Sequence, residues 1–346
     1  MPSPGTFDAK VPASDLPRLF VGDNLMATRT ITGIHHITAI ARDPQRNLDF
    51  YTSVLGLRLV KLTVNFDDPT TYHFYFGNDA GTPGSILTFF PWPDARRGVV
   101  GSGQVTATTF AVPGDSASYW RHRLSEHGLS VQEDGDRFGE QVLTFTDPDG
   151  LPLEVIATPQ ANPLLAWKHG SVVAEHAICG FHSATLSEEG YEQTTRLLQD
   201  TMGFVPAGNE GNRFRYRAMG DAAGAIVDVL CTPDGQPGRL GAGTVHHIAW
   251  RTPDDDQQLI WRRDLATLGY NVSPVMDRTY FHSIYYREPG GVLFEIATDP
   301  PGFAIDETPD HMGERLMLPP QYERNRQILE PALPKLSLPH ERGTAT

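Results

Sequence analysis

The amino-acid sequence predicts an α+β fold: four βαβββ modules that pair into two curved, barrel-like cups. Three observations predict it. Four strand-like openings recur along the chain, four helix-period runs each stop at a glycine, and four closing strands each follow a glycine-ended turn. A supersecondary unit repeated at a fixed period is the signature of a repeat architecture.

The openings are GIHHITAI (33–40), QVTATTFAV (104–112), GFHSATL (180–186) and TVHHIAW (244–250). Their alternation of apolar and small or polar residues is that of strands. The helix-period runs are PQRNLDFYTSVL, DSASYWRHRLSEH, EEGYEQTTRLLQDTM and DDDQQLIWRRDLATL, stopped by Gly56, Gly128, Gly203 and Gly269. Glycine past a helix end reaches the left-handed conformation that other residues avoid. Three strand-like stretches follow each cap, the last one after DAGTPG, DPDG, DAAG or EPGG.

The spacing holds these landmarks in register. With His36, Thr108, His182 and His247 taken as equivalent first-strand positions, the capping glycines follow after 20, 20, 21 and 22 residues. Thr88, Glu154, Asp228 and Glu295 each lie four residues beyond a turn glycine, and the first-to-last separations are 52, 46, 46 and 48. One βαβββ unit covers one face of its sheet with its helix and leaves the other open, so two units must pair to close a cup. The chain then divides into an N-terminal extension (1–30), modules one and two (31–160), a linker (161–175), modules three and four (176–303) and a proline- and charge-rich C-terminal tail (304–346) that wraps the surface or is partly mobile.

Composition narrows the function. A net charge of −14 argues against a phosphate backbone as partner and favours a small, weakly charged ligand. No apolar run approaches the roughly 20 residues of a membrane helix, so no membrane association is expected. The N-terminus lacks the charged and apolar regions of a signal peptide. Cys179 and Cys231 alone read as reduced thiols of a cytoplasmic protein. Oligomeric state is left open, a homo-oligomer included.

Strand alternation selects the inward-facing residues. Ile248, Trp250, Phe294 and Ile296 are large and apolar and pack most economically under the helix. That leaves His247 and Glu295 facing into a cup, with His36 alike by repeat equivalence. His35 and His246 fall on the opposite face by the same parity. Two imidazoles and a carboxylate with open positions suit a redox-active divalent metal that meets both a substrate and O2. Fe(II) is the first choice and Mn(II) the second; zinc is disfavoured without cysteine nearby. Taken singly, each histidine reads more readily as a satisfied core residue; three at equivalent inward positions do not. Pairing of modules three and four would give the set His182, His247 and Glu295. Pairing of one and four would give His36, His247 and Glu295. Spacing leaves both open. The cup of the middle modules carries Thr108 in place of a histidine and reads as structural.

With the modules laid out, residues 31–305 resemble the vicinal oxygen chelate superfamily, and most closely its hydroquinone-type ring-cleaving dioxygenases. The strings that carry the resemblance are GIHHIT, YHFYFGNDAGTPGSILTFFP, EHAICGFHS, EGNRFRYR, VHHIAW and REPGGVLFEIAT. The resemblance implies His36, His247 and Glu295 as metal ligands, hence pairing of modules one and four. It implies further site residues at His35, Thr38, His246 and Tyr285, and an arginine that Arg278, in the shorter segment MDRTYFHS, matches approximately. The implied reaction opens a dihydroxy aromatic ring with O2. A base takes the phenolic proton: His246 or Tyr285, with Thr38 as hydrogen-bond partner, while His35 and Arg278 contact substrate. Other readings are a catechol extradiol dioxygenase, a glyoxalase-type metal isomerase and a metal-free binding protein of the same fold. Thr88 counts against the isomerase, since it stands where a fourth ligand would sit.

Overall fold

The computed structural model describes residues 31–220 and 223–342; the N-terminal extension lies outside the described residues. Each module folds as read from the sequence. Module one runs β1 (Ile34–Ala41), α1 (Pro44–Asp49), β2 (Arg58–Val64), β3 (Tyr72–Gly77) and β4 (Ile86–Pro91). Module two runs β5 (Gln104–Pro113), α2 (Ala117–Glu126), β6 (Gln132–Arg137), β7 (Glu140–Thr146) and β8 (Pro152–Thr158). Module three runs β9 (Gly180–Glu188), α3 (Glu192–Arg196), β10 (Val205–Glu210), β11 (Arg213–Arg217) and β12 (Ile226–Cys231). Module four runs β13 (Thr244–Thr252), α4 (Asp255–Thr267), β14 (Met276–Asp277), β15 (Phe281–Arg287) and β16 (Leu293–Pro301).

The helices start and stop on local chemistry. Asp43 and Asp254 cap α1 and α4 by accepting from the amides of Arg46 and Gln257, both at 2.8 Å. The four stop glycines all take positive φ, from +70° at Gly56 to +92° at Gly269. The third helix is shorter than its sequence run. Glu188 still belongs to β9, and after Arg196 the chain widens into a π-turn over Leu197–Thr201, as it does over Phe50–Val54 in module one.

Two eight-stranded sheets result, and each takes one module from each half of the chain. One has the order β14-β15-β16-β13-β1-β4-β3-β2, the other β10-β11-β12-β9-β5-β8-β7-β6. Modules one and four therefore form one curled half-barrel and modules two and three the other, joined by the antiparallel pairs β1–β13 and β5–β9. The pairing of modules three and four, which would have given His182 a place beside His247, does not occur.

The central pairs carry irregularities that matter for the site. Ile34 faces Trp250 and His36 faces Ala249, so His35 is an extra residue on β1; Thr38 faces His247 and Ala39 faces Val245, so His246 is an extra residue on β13. The β5–β9 pair repeats this, with Thr106 and His182 as the extra residues. A bulge leaves one residue unpaired and re-aims its side chain.

Lateral pairing corrects the repeat equivalence. Thr38 pairs with Thr88 and Ala249 with Glu295, placing His36 and His247 two residues before each pair. In the other sheet Thr109 pairs with Glu154 and Thr185 with Asp228. The counterparts of His36 and His247 are thus Ala107 and Ser183, one residue from Thr108 and His182. The shift arose because His182 holds the bulge position, where the sequence offers one histidine instead of two.

The helices cover the outer faces. Trp250, Phe294 and Ile296 are fully buried and share one core with Trp261 and Leu265 of α4. Gln258 of α4 donates to the carbonyl oxygens of His282 (2.7 Å) and Ile296 (2.8 Å), pinning the helix beside Glu295. The described part of the tail wraps edge strand β2, with the Met317 amide on the Leu62 carbonyl at 2.9 Å and the Tyr322 hydroxyl on the Phe66 carbonyl at 2.9 Å. A covered edge is protected from pairing with another chain.

Candidate metal centre

At the seam between β1 and β13 the structure brings His36, His247 and Glu295 together. One ligand atom from each lies within 4.8 Å of the others, and all three residues are buried. Glu295 Oε2 is 3.0 Å from His247 Nε2 and 3.3 Å from His36 Nε2, and the two imidazole nitrogens are 3.4 Å apart. Among the described residues no other group of three such side chains converges in this way. β1 and β13 supply the imidazoles, and β16, pairing alongside β13, supplies the carboxylate.

The donor set fits a divalent metal. Glu295 Oε2 is buried and, among the described residues, receives no well-directed hydrogen bond despite the two nearby imidazoles. Three inward-facing lone pairs at this range repel unless a cation lies between them. Burial keeps His247 neutral by lowering its pKa, and burial alone would push the Glu295 carboxyl up. The flanking imidazoles outweigh that and hold Glu295 well below the usual carboxylate range. Neutral nitrogen and ionised oxygen are the forms that bind metal. The other Glu295 oxygen accepts from the Ser283 hydroxyl, which fixes the carboxylate.

His35 and His246 stand beside the ligands. Strict alternation would have turned them to the opposite face; the two bulges override it. His35 Nδ1 lies 2.9 Å from His36 Nδ1, and His246 Nδ1 lies 2.8 Å from His247 Nδ1. Burial drives His35 well below its ordinary pKa and His246 down to about 3, so both rings are neutral.

In front of the ligands lies a cavity of about 410 Å³, within the range typical of small-molecule sites. His36, His247, His246, Thr38, Tyr285 and Arg278 line it, with aromatic walls from Phe66, Phe90, Trp92 and Phe281. His35 is buried behind this wall, its ring 5.0 Å from that of Phe281. The Tyr285 ring packs edge-on to His247 at 5.7 Å, and burial, reinforced by Glu295, raises its phenol pKa so that it stays protonated. The shortness of the MDRTYFHS segment does not remove its arginine from the site. Arg278 reaches the Tyr285 hydroxyl at 3.4 Å and the exposed Asp67 carboxylate at 3.2 Å.

Sequence reasoning missed His73. It sits on β3, lines the same cavity, and bonds Thr88 Oγ1 (3.0 Å) and the Tyr75 hydroxyl (3.0 Å). The available signal was YHFYF, whose alternation sets His73 and Tyr75 on one face.

The second cup is closed by ion pairs. Arg137 grips Glu154 with two bonds of 2.7 and 2.9 Å. Arg215 grips Asp228 at 2.8 and 3.1 Å and reaches Glu140 at 2.7 Å, and Glu140 takes His182 Nε2 at 2.9 Å. With Ala107 and Ser183 at the histidine positions and both carboxylates bound by arginine, this cup holds no equivalent donor set.

The sequence profile of the Glyoxalase/Bleomycin resistance protein/Dioxygenase superfamily matches residues 33–155 and 180–296. A Bacillus subtilis (strain 168) protein named, provisionally, ring-cleaving dioxygenase MhqO is 53% identical over 308 residues, covering 89% of this chain and 97% of its own. The chlorohydroquinone/hydroquinone 1,2-dioxygenase of Sphingobium indicum is 37% identical over 299 residues, 85% of this chain and 93% of its own. A crystal structure of a provisionally assigned dioxygenase from Bacillus subtilis subsp. subtilis str. 168 superposes with a TM-score of 0.85 at 51% identity, over 90% of this chain and 99% of that one.

Proposed function

The chain belongs to the Glyoxalase/Bleomycin resistance protein/Dioxygenase superfamily and to its ring-cleaving dioxygenases, and we propose that it opens substituted hydroquinones with O2 at an Fe(II) centre held by His36, His247 and Glu295. The observation that carries this reading is the convergence of two imidazoles and one carboxylate at the floor of an aromatic-walled cavity. Fe(II) is preferred over Mn(II) because such a triad with open positions is the usual iron set of oxygen-activating sites. None of the described helices is long and apolar enough to cross a membrane, and with both cysteines free we place the reaction in the cytoplasm.

The bound metal would supply the electron relay between ring and O2. The chain's own residues bind, orient and exclude water. Phe66, Phe90, Trp92 and Phe281 hold the ring by apolar contact. Tyr285, kept protonated, donates a hydrogen bond towards a substrate oxygen, and Arg278 behind it favours negative charge developing there. His246 and Thr38 supply polar contacts near the ligands. His35 acts through His36 and not on substrate. The isomerase alternative is disfavoured by Thr88, which holds the position matching Glu295 and is engaged by Thr38 and His73.

The deciding experiment is O2 uptake by protein reconstituted anaerobically with Fe(II) or Mn(II), given methyl- and chlorohydroquinones and then catechols. Rapid uptake on hydroquinones with a ring-opened chromophore is expected. Uptake confined to catechols would replace the substrate class. No uptake on either, with metal bound, would overturn the dioxygenase reading.

A further inference from the structure

The cavity needs a group that accepts the substrate's phenolic proton, and its nearest polar residues already have partners. The Tyr285 hydroxyl accepts from Arg278 Nε at 3.4 Å, and His246 Nδ1 lies 2.8 Å from Nδ1 of His247.

One continuous chain of hydrogen bonds remains. Thr38 Oγ1 lies 2.8 Å from Thr88 Oγ1, Thr88 Oγ1 lies 3.0 Å from His73 Nε2, and His73 Nδ1 lies 3.0 Å from the Tyr75 hydroxyl. Thr38 and Thr88 are fully buried, and Tyr75 is 1% exposed. Both ends, Thr38 and Tyr75, line the cavity. Pseudosymmetry shows that these positions are in use twice. Tyr75 pairs with Thr88 as Tyr285 pairs with Glu295, so His73 matches Ser283, two residues earlier on its strand. In module four the Ser283–Glu295 pair builds the metal centre. In module one the same two places hold a hydroxyl and an imidazole and build an uncharged chain.

We propose that His73 is a positioning residue of the ring-opening reaction, the turning point of a Thr38–Thr88–His73–Tyr75 proton wire that takes the phenolic proton at Thr38. A neutral imidazole carries one N–H, so the wire has two polarities. With the proton on Nδ1, His73 donates to Tyr75, Thr88 donates to Nε2, and Thr38 donates to Thr88, so that Thr38 presents a lone pair to the cavity. A proton arriving at Thr38 shifts each bond in turn. Thr38 passes its own to Thr88, Thr88 passes one to Nε2, Nδ1 releases one to Tyr75, and Tyr75 gives its own to the cavity. One proton enters at Thr38 and one leaves from the Tyr75 hydroxyl to water, so no residue gains charge and the substrate oxygen is left as the anion. A proton returning from water at Tyr75 moves the same four bonds back, and Thr38 hands one to the ring-opened product, which restores the first polarity. Hydrogen-bonded chains of this kind polarise along their length and act as a unit.

This inference rests on the dioxygenase reading, and two measurements separate their failures. The first compares kcat, KM and the solvent deuterium effect for wild type, His73→Gln, Tyr75→Phe and the double variant, each with metal content and Tm checked. The expected result is a kcat loss of about 10–100-fold in each single variant, KM within about twofold, bound metal unchanged, a diminished solvent effect, and a double variant no worse than either single one. Additive losses or unchanged kcat would overturn the wire. The second measurement needs no turnover: ¹⁵N NMR of His73 in full-length protein loaded with diamagnetic Zn(II). A neutral ring whose tautomer balance moves on Tyr75→Phe is expected; a protonated ring, or one indifferent to Tyr75→Phe, would overturn it. Absence of O2 uptake by wild type would strike the dioxygenase reading and leave the NMR result to judge the wire.

Discussion

The Nδ1 atoms of His246 and His247 lie 2.8 Å apart although the two residues are neighbours on one strand. An alternating strand would point them to opposite faces; the bulge at His246 turns both rings to one side. His35 stands in the same relation to His36 at 2.9 Å. A ligating histidine is oriented by the partner of its other nitrogen. His246→Ala and His35→Ala are therefore expected to weaken metal binding by about 10–100-fold with every ligand in place, read by chelator competition. Unchanged affinity in both would show that the bulged rings do not orient the ligands.

The donor set itself makes a sharper demand. His36→Ala, His247→Ala and Glu295→Ala are each expected to abolish metal retention and turnover, since the remaining pair leaves an open, weakly held site. His182→Ala is expected to keep its metal, because His182 lies in the other cup against Glu140. Metal content of the purified variants tests this directly, and full retention in any of the first three would remove that residue from the centre.

Much of this was legible in the sequence, for physical reasons that the residues make plain. Glycine stops and turn glycines fix helix ends and closing strands locally, so the order of elements within each module could be read from spacing. The apolar set Trp250, Phe294 and Ile296 marked the face under α4 and left His247 and Glu295 for the cup. Which modules share a sheet was not readable from spacing, because β1–β13 pairing depends on contacts more than 200 residues apart; the family resemblance alone implied that modules one and four pair, as they do. The bulges were not readable either. Strict alternation misplaced His35 and His246, and the single histidine of GFHSATL shifted the equivalence of His182 and Thr108 by one. His73 carried no repeat partner of its own type, and only the structure showed its bond to Thr88.

Stability of the metal-free protein should depend on acid through its buried histidines. Burial lowers the pKa of His35, His73, His246 and His247, with His246 reaching about 3. In the unfolded chain each takes a proton near pH 6.5. Below that pH the unfolded state binds more protons, so stability rises with pH there. Their contribution is fully present above about pH 6.5 and is lost as pH falls towards 3. The depressed Glu295 carboxyl acts in the same direction below about pH 4.3. Urea unfolding of wild type and His246→Gln between pH 4 and 7 is expected to give a shallower slope for the variant, by up to one proton; equal slopes would mean that His246 is already protonated in the fold.

Glu188 at the end of β9 should produce the opposite slope at higher pH. It is fully buried, and among the described residues neither carboxylate oxygen has a hydrogen-bond partner. Neighbouring Glu288 takes the local donors instead: the Thr194 hydroxyl at 2.5 Å and the amides of Gly290 and Val292 at 2.8 and 2.7 Å. Burial, then the charge of Glu288, pushes the Glu188 carboxyl up to about 8. Between about pH 4.3, where the unfolded chain ionises, and pH 8 the folded state holds the extra proton. Stability from this group is therefore full at low pH and falls as pH rises through that window. Glu188→Gln keeps the shape and removes the ionisation. Its Tm relative to wild type is expected to increase by a few degrees between pH 5 and pH 8, measured by calorimetry on metal-loaded protein at both values. A constant Tm difference across that range would show that Glu188 is ionised throughout and neutralised by something other than a proton.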